Sequence, residues 1–146
     1  MSKKGTIKAT QTPSVATSDL EILYPDQPVK IAGRNITVRE YRFVEGLRLQ
    51  PLYADFINDI FERVKGGEQP EMHHVIELLG RYESQLIELI AASADVSVEW
   101  IAELSDDDGM HLMYVWWTVN VAFFMRRVHS RIAASRVLEK TNLDGA

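Results

Sequence analysis

The sequence predicts a mainly α-helical chain: a small N-terminal β-hairpin or meander packed on a bundle of about four helices, the last of them long. Three observations predict it. Short β-branched runs split by Pro and Gly fill residues 20–38. Apolar residues then recur at helical spacing from Phe43 into the nineties. A nearly unbroken apolar window, Met110–Met125, opens on three aspartates and closes on arginines, as a capped helix does.

Taken in order, residues 1–18 hold only Ile7 and Val15 as large apolar side chains. That is too little buried surface to offset ordering entropy, so a disordered N-terminal arm is expected, with one domain over 19–138 and a flexible tail over 139–146. Leu20–Tyr24, Val29–Ala32 and Ile36–Val38 read as strands, separated by Pro25-Asp26-Gln27-Pro28 and by a Gly33-Arg34-Asn35 turn. Thr37-Val38-Arg39-Glu40 has the spacing of a capping box and should start the first helix. Its stripe runs through Phe43, Leu47, Leu52, Phe56, Ile57, Ile60, Phe61 and Val64, with a kink or break expected near Gln50 because Pro51 lacks an N–H. Gly66-Gly67 ends it. Pro70 suits the first turn of a second helix, whose stripe from Val75 through Tyr82 to Ile90 runs to about Ala94. Ser97 should cap a short helix over 97–104, and Ser105 with Asp106–Asp108 the last one, ending in Arg126, Arg127, Arg131 and Arg136.

Composition narrows the function classes. There are no cysteines among the 146 residues, which removes disulfides, thiolate metal sites and cysteine nucleophiles and suits a reducing cytosol. Lys3 and Lys4 are not followed by an apolar stretch, so no secretory signal is expected. The net charge of -5 is unevenly spread: residues 1–50 carry eight Lys/Arg against five Asp/Glu, 51–110 three against fourteen, and 111–146 five against two. An acidic middle of that size argues against a broad nucleic-acid surface, which needs clustered cations.

The window Met110–Met125 interrupts its apolar run only at His111, Thr118 and Asn120. Its sixteen residues cover about 24 Å, short of a hydrocarbon core of about 30 Å, so no membrane span is expected. A central core helix is one explanation. The other is a helix with one face in the core and the other left for a partner or a second copy. The expected reading combines the two, because small domains seldom enclose a helix on all sides. The partner face is then assigned to Met113, Trp116, Trp117, Asn120, Phe123 and Phe124, types enriched at interface centres, with Arg126 and Arg127 at the rim. Asn120 fits either a buried residue that fixes register or a ligand for the partner's backbone.

No constellation reads as catalytic. His73 and Glu77 are helix neighbours, but two ligands fall short of a metal site, and the group Glu71, His73, His74, Glu77 is read as a solvated helix face. Asp106-Asp107-Asp108-Gly109 lacks the spacing of a calcium loop. There is no Gly-x-Ser-x-Gly, Walker-type loop or Gly-x-Gly-x-x-Gly. The expectation is therefore a non-enzymatic protein with no cofactor and no metal.

Two stretches carry a resemblance. Ile31-Ala32-Gly33-Arg34-Asn35-Ile36-Thr37-Val38-Arg39-Glu40-Tyr41 reads as a hairpin feeding a helix, and Trp117-Thr118-Val119-Asn120-Val121-Ala122-Phe123-Phe124-Met125-Arg126-Arg127 lies late in the last helix. With the acidic helical middle between them, this layout resembles the tail assembly chaperones of long-tailed phages, particularly Mu-like transposable phages and prophages. The likeness covers about residues 20–135, and the arm 1–18 is longer than that layout needs. The resemblance implies a non-enzymatic protein that binds and solubilises the hydrophobic tape-measure protein in the host cytoplasm. It also implies recruitment of tail-tube subunits, absence from the mature virion, and in many relatives a longer frameshifted form, which here would diverge near Glu139–Ala146. A homo-oligomer is compatible with the same reading. The alternatives from other classes are a structural tail or head-completion component, and a small cytosolic regulator binding nucleic acid through the arm and the C-terminal arginines.

Overall fold

The computed structural model describes residues 26–69 and 71–145. The expected arm, the strand Leu20–Tyr24 and the helix-starting Pro70 lie outside the described residues. Within them, strands β1 (Gln27–Ile31) and β2 (Arg34–Val38) pair antiparallel with Val29 opposite Ile36. Alternation turns Ile31, Ile36 and Val38 inward and leaves Lys30, Asn35 and Thr37 outside. The turn is Ala32-Gly33, not Gly33-Arg34-Asn35. Both residues have positive φ, 52° and 77°, as a two-residue turn matched to strand twist requires, so Arg34 and Asn35 are free to pair in the strand.

The first helix, α1, spans Phe43–Lys65 and so starts later than the Thr37–Glu40 pattern suggested. Val38 is still paired with Gln27, and Thr37 stays in the strand. Glu45 closes the real helix start by accepting the Arg42 N–H at 3.3 Å. The helix runs unbroken through Pro51, whose missing N–H leaves only the carbonyl of exposed Leu47 without a donor. Tyr53, Phe56, Ile57, Ile60 and Phe61 face the core, whereas Phe43 and Leu47 do not join the stripe.

The expected single helix through residues 75–94 is two, α2 (Met72–Arg81) and α3 (Glu83–Ala94), with Tyr82 (φ -118°, ψ 39°) between them. The break follows Gly80, a poor helix former, and lets the Tyr82 hydroxyl donate to Asp59 of α1 at 2.6 Å. Ser97 caps α4 (Val98–Ala102) by accepting the Trp100 N–H. Ser105 caps the last helix, α5 (Asp106–Gly145), by accepting the Asp108 N–H. The last helix thus continues past Arg136 to Gly145, so the segment expected as a tail from residue 139 is helical through residue 145.

The middle of α5 is the central element. It contacts α1, α3 and both strands, and its eight buried positions from Leu112 to Phe124 lie among them. What it presents outward is a narrow strip, Met110, His111, Tyr114, Thr118 and Ala122. No helix among the described residues is long and apolar enough to cross a membrane.

Ala32 holds a left-handed conformation that costs an alanine about 1 kcal/mol or more. Ala32→Asn should therefore raise stability by about 0.5–1 kcal/mol, read as a higher denaturation midpoint with an unchanged slope.

Candidate functional site

Between β2 and α1 the chain crosses the molecule as an extended segment, Arg39–Arg42. Extended backbone with no neighbouring strand has no ladder to satisfy its polar groups, so buried side chains must do so. The Arg39 N–H donates to the Ser93 carbonyl at 3.1 Å, and the Ser93 hydroxyl donates back to the Arg39 carbonyl at 2.7 Å. The Tyr41 N–H donates to Asn120 Oδ1 at 3.2 Å. Asn120, fully buried, donates in turn from Nδ2 to Ser93 Oγ at 3.1 Å and to the Trp116 carbonyl at 3.2 Å. The Tyr41 hydroxyl donates to the Leu89 carbonyl and accepts the Trp116 indole N–H at 2.9 Å. Burial pushes the Tyr41 phenol well above its ordinary range.

This network places the next side chains. Arg39 forms a two-point pair with Glu45 at 2.8 and 2.7 Å, and this pairing holds the Glu45 carboxyl below its usual range. The Glu40 side chain is only 3 % exposed and meets Arg126 Nη2 at 2.8 Å. Arg127 lies 3.7 Å over the Phe123 ring, donates to the Phe123 carbonyl at 3.0 Å and reaches the Tyr53 hydroxyl at 3.0 Å. Gly46 lets α1 approach α5 closely here. A Cβ on it would stand 2.9 Å from the Phe123 ring and 3.0 Å from Arg127.

Beside this crossing is a groove of about 680 Å³, with Glu40 and Phe123 in its lining and Arg42, Arg126 and Arg127 around it. On one side rise Phe43, 73 % exposed, Val44, 54 %, and Leu47, 55 %, an apolar ridge at the start of α1. Phe43 occupies the first helical position, at the edge of the core it would otherwise enter, and Leu47 is turned about 100° from inward-facing Gly46.

The expected partner face is corrected by these positions. Met113, Trp116, Trp117, Asn120, Phe123 and Phe124 are all buried within the single chain. Their partners are internal: Trp117 stacks on Phe124 at 6.0 Å, Phe56 meets Phe124 edge-on at 5.3 Å, and Tyr53 meets Phe123 edge-on at 5.7 Å. Asn120 is the register-fixing residue and binds this chain's own backbone. Arg126 and Arg127 do reach the surface, at the groove. Phe43 and Leu47 read as core from sequence because their spacing continues the α1 stripe, yet both stand on the surface ridge. The signal that could have separated it is Gly46, the single glycine of α1 and the residue that permits close helix contact.

Of the residues considered for metal, Glu71 and His73 meet each other, with Glu71 Oε1 3.4 Å from His73 Nδ1. Glu77 pairs with Arg63 at 2.8 Å instead of with His73, and the His74 Nδ1 accepts the Glu71 N–H at 3.2 Å. Among the described residues no three His, Asp or Glu side chains are grouped to hold a metal ion.

Two outcomes test this geometry. Gly46→Ala should destabilise by about 1–3 kcal/mol through overpacking against Phe123, although the same change in an open helix gains about 1 kcal/mol; chemical denaturation reads the sign. The Tyr41 phenol has a raised folded-state value against an ordinary 10.0, so its contribution is complete below pH 10.0 and is lost as pH rises further. Tyr41→Phe should lower neutral stability by about 1–3 kcal/mol, because the Trp116 N–H loses its acceptor, and make the alkaline fall shallower. Denaturation midpoints measured from neutral to alkaline pH show both.

Neither a curated protein nor a solved structure gives a significant match to the chain. Residues 19–146 match the sequence pattern of a family of unknown function, DUF6631, and the chain belongs to that family.

Proposed function

We propose that the protein is a non-enzymatic tail assembly chaperone that binds an apolar segment of the tape-measure protein in the host cytoplasm and keeps it soluble before the tail tube forms. The observation that carries this reading is the apolar ridge Phe43, Val44 and Leu47 beside a groove rimmed by Arg42, Arg126 and Arg127. An exposed aromatic side chain next to arginines is a composition enriched at protein-binding surfaces. A second support is spatial. The two stretches that carry the resemblance, 31–41 and 117–127, pack on each other through Tyr41–Asn120, Tyr41–Phe123 and Glu40–Arg126. The groove lies along that seam, with Arg126 and Arg127 keeping the rim role and the ridge replacing the tryptophans as the apolar contact.

The test is a pull-down and affinity measurement with the tape-measure protein encoded in the same genome. Phe43→Ser and Leu47→Ser should each weaken binding about tenfold, since burying such a side chain contributes about 1.5–3 kcal/mol and part of each is already covered. Both variants should keep the wild-type circular dichroism spectrum. Binding unchanged in the folded double variant would remove the groove from the proposal. Recovery of the protein from purified particles by mass spectrometry would favour a structural tail component over a chaperone.

A further inference from the structure

The surface around the groove carries a charge opposite to that of the chain as a whole. Residues 39–48 and 123–127, which meet there, hold five arginines and two glutamates, whereas the net charge of the chain is -5. Both glutamates are already taken. Glu45 pairs with Arg39 at 2.7 Å, on the flank of α1 opposite Phe43 and Leu47, and Glu40 pairs with Arg126 at 2.8 Å. Arg42 and Arg127 in the groove lining, and Arg48 one turn after Val44, have no carboxylate within ion-pair distance among the described residues. On the two helices that flank the groove the next carboxylates are distant. Asp55 lies about 12 Å along α1 from Leu47, beyond the screening length of about 10 Å at 0.1 M salt, and α5 carries none between Asp108 and Glu139. Asp26 and Asp95 act on Arg39, which is not in the groove lining. The Glu40 side chain lines the groove yet is 3 % exposed, and among the described residues only Arg126 donates to it, at Oε2. Its Oε1 is left as a buried acceptor in the groove wall, and buried acceptors are normally filled.

We propose that the polypeptide segment held in this groove is acidic as well as apolar: its carboxylates meet Arg42, Arg48 and Arg126 around an apolar side chain seated on Phe43 and Leu47, and one of its N–H groups fills Glu40 Oε1. The inference rests on the groove being the partner site and adds the chemistry of the partner. Charge complementarity selects it. A neutral apolar segment would cover the Arg42 guanidinium without giving it a partner, and desolvating an unpaired charge costs free energy. A basic segment would be repelled by the local surplus of arginines. Carboxylates instead form charge-assisted hydrogen bonds with the planar guanidinium fork. Nucleic acid shares the anionic chemistry but fits less well. Aliphatic Val44 and Leu47 give a phosphate strand nothing to bind, and residues 51–110 carry fourteen acids against three bases.

The test is fluorescence anisotropy of the full chain with a short labelled peptide of leucine, phenylalanine and alanine that carries glutamates, beside otherwise identical glutamine and lysine versions. At low salt the glutamate peptide should bind about fivefold more tightly than the glutamine one, the sum of two exposed ion pairs, and the lysine peptide least. The preference should vanish at about 0.5 M salt. Arg42 and Arg48 are exposed, so the double variant Arg42→Gln, Arg48→Gln should keep the wild-type melting curve. In it the preference should fall to about twofold while the glutamine peptide binds as before. Phe43→Ser should weaken all three peptides. Equal binding of the glutamate and glutamine peptides, both weakened by Phe43→Ser, overturns the acidic partner and leaves the groove reading in place. A preference unchanged in the arginine double variant also overturns it, as does displacement of the glutamate peptide by an equal concentration of a short oligothymidylate. Binding that Phe43→Ser leaves untouched removes the groove reading itself, and this inference with it.

Discussion

The buried amide of Asn120 is the constraint on which the rest of the molecule depends. The chain must pass from a two-stranded sheet to α1 through the interior, and the crossing segment brings backbone N–H and C=O groups with no helix or ladder to join. An unpaired buried group of that kind costs about 1–3 kcal/mol. Asn120 offers an acceptor to Tyr41 and donors to Ser93 and Trp116, while Ser93 closes both sides of Arg39. One side chain on α5, 79 positions from Tyr41, and one on α3, 54 positions from Arg39, therefore fix where the crossing segment lies. A hydrophobic core packed without them would tolerate a shifted crossing. With them, the register is specified.

Everything at the groove follows from that crossing. Holding Tyr41 against α5 sets Glu40 under Arg126 and delivers Arg42 and Phe43 to the surface as α1 begins. Gly46 then lets the first turns of α1 lie close on Phe123, which fixes Arg127 over the ring. The result is an apolar ridge with a cationic rim at one place. At the far end of the α5 middle, the acidic segment of the sequence supplies a cleft rimmed by carboxylates. The charge asymmetry along the chain thus becomes two surfaces of opposite character.

Much of the architecture was readable from local chemistry. The hairpin, the Ser97 and Ser105 caps and the long last helix rest on signals within a few residues of each other, and such signals survive folding. What failed depended on the tertiary arrangement. Thr37 and Glu40 have capping-box spacing, yet Thr37 is held by strand pairing and Glu40 by a residue 86 positions away. Pro51 suggests a kink or break near Gln50, but its position on the open side of α1 leaves nothing buried to be unsatisfied. The window Met110–Met125 looked too apolar to be covered by one chain, and that inference was mistaken. Met110, His111, Tyr114, Thr118 and Ala122 face outward, and hairpin, α1 and α3 together cover every tryptophan and phenylalanine assigned to a partner. Periodicity marks which residues are apolar. It does not say how many neighbours will arrive to cover them.

Hydrogen exchange at the Tyr41 amide, followed by NMR on the native protein, tests the role of Asn120 most directly. If Asn120 holds the crossing segment as described, this amide lies outside any helix or strand and yet exchanges as slowly as the amides of the α5 core, opening only with global unfolding. Exchange at the rate of an exposed loop, while the α5 amides stay protected, would show that the crossing is not pinned and that the groove built on it has no fixed shape.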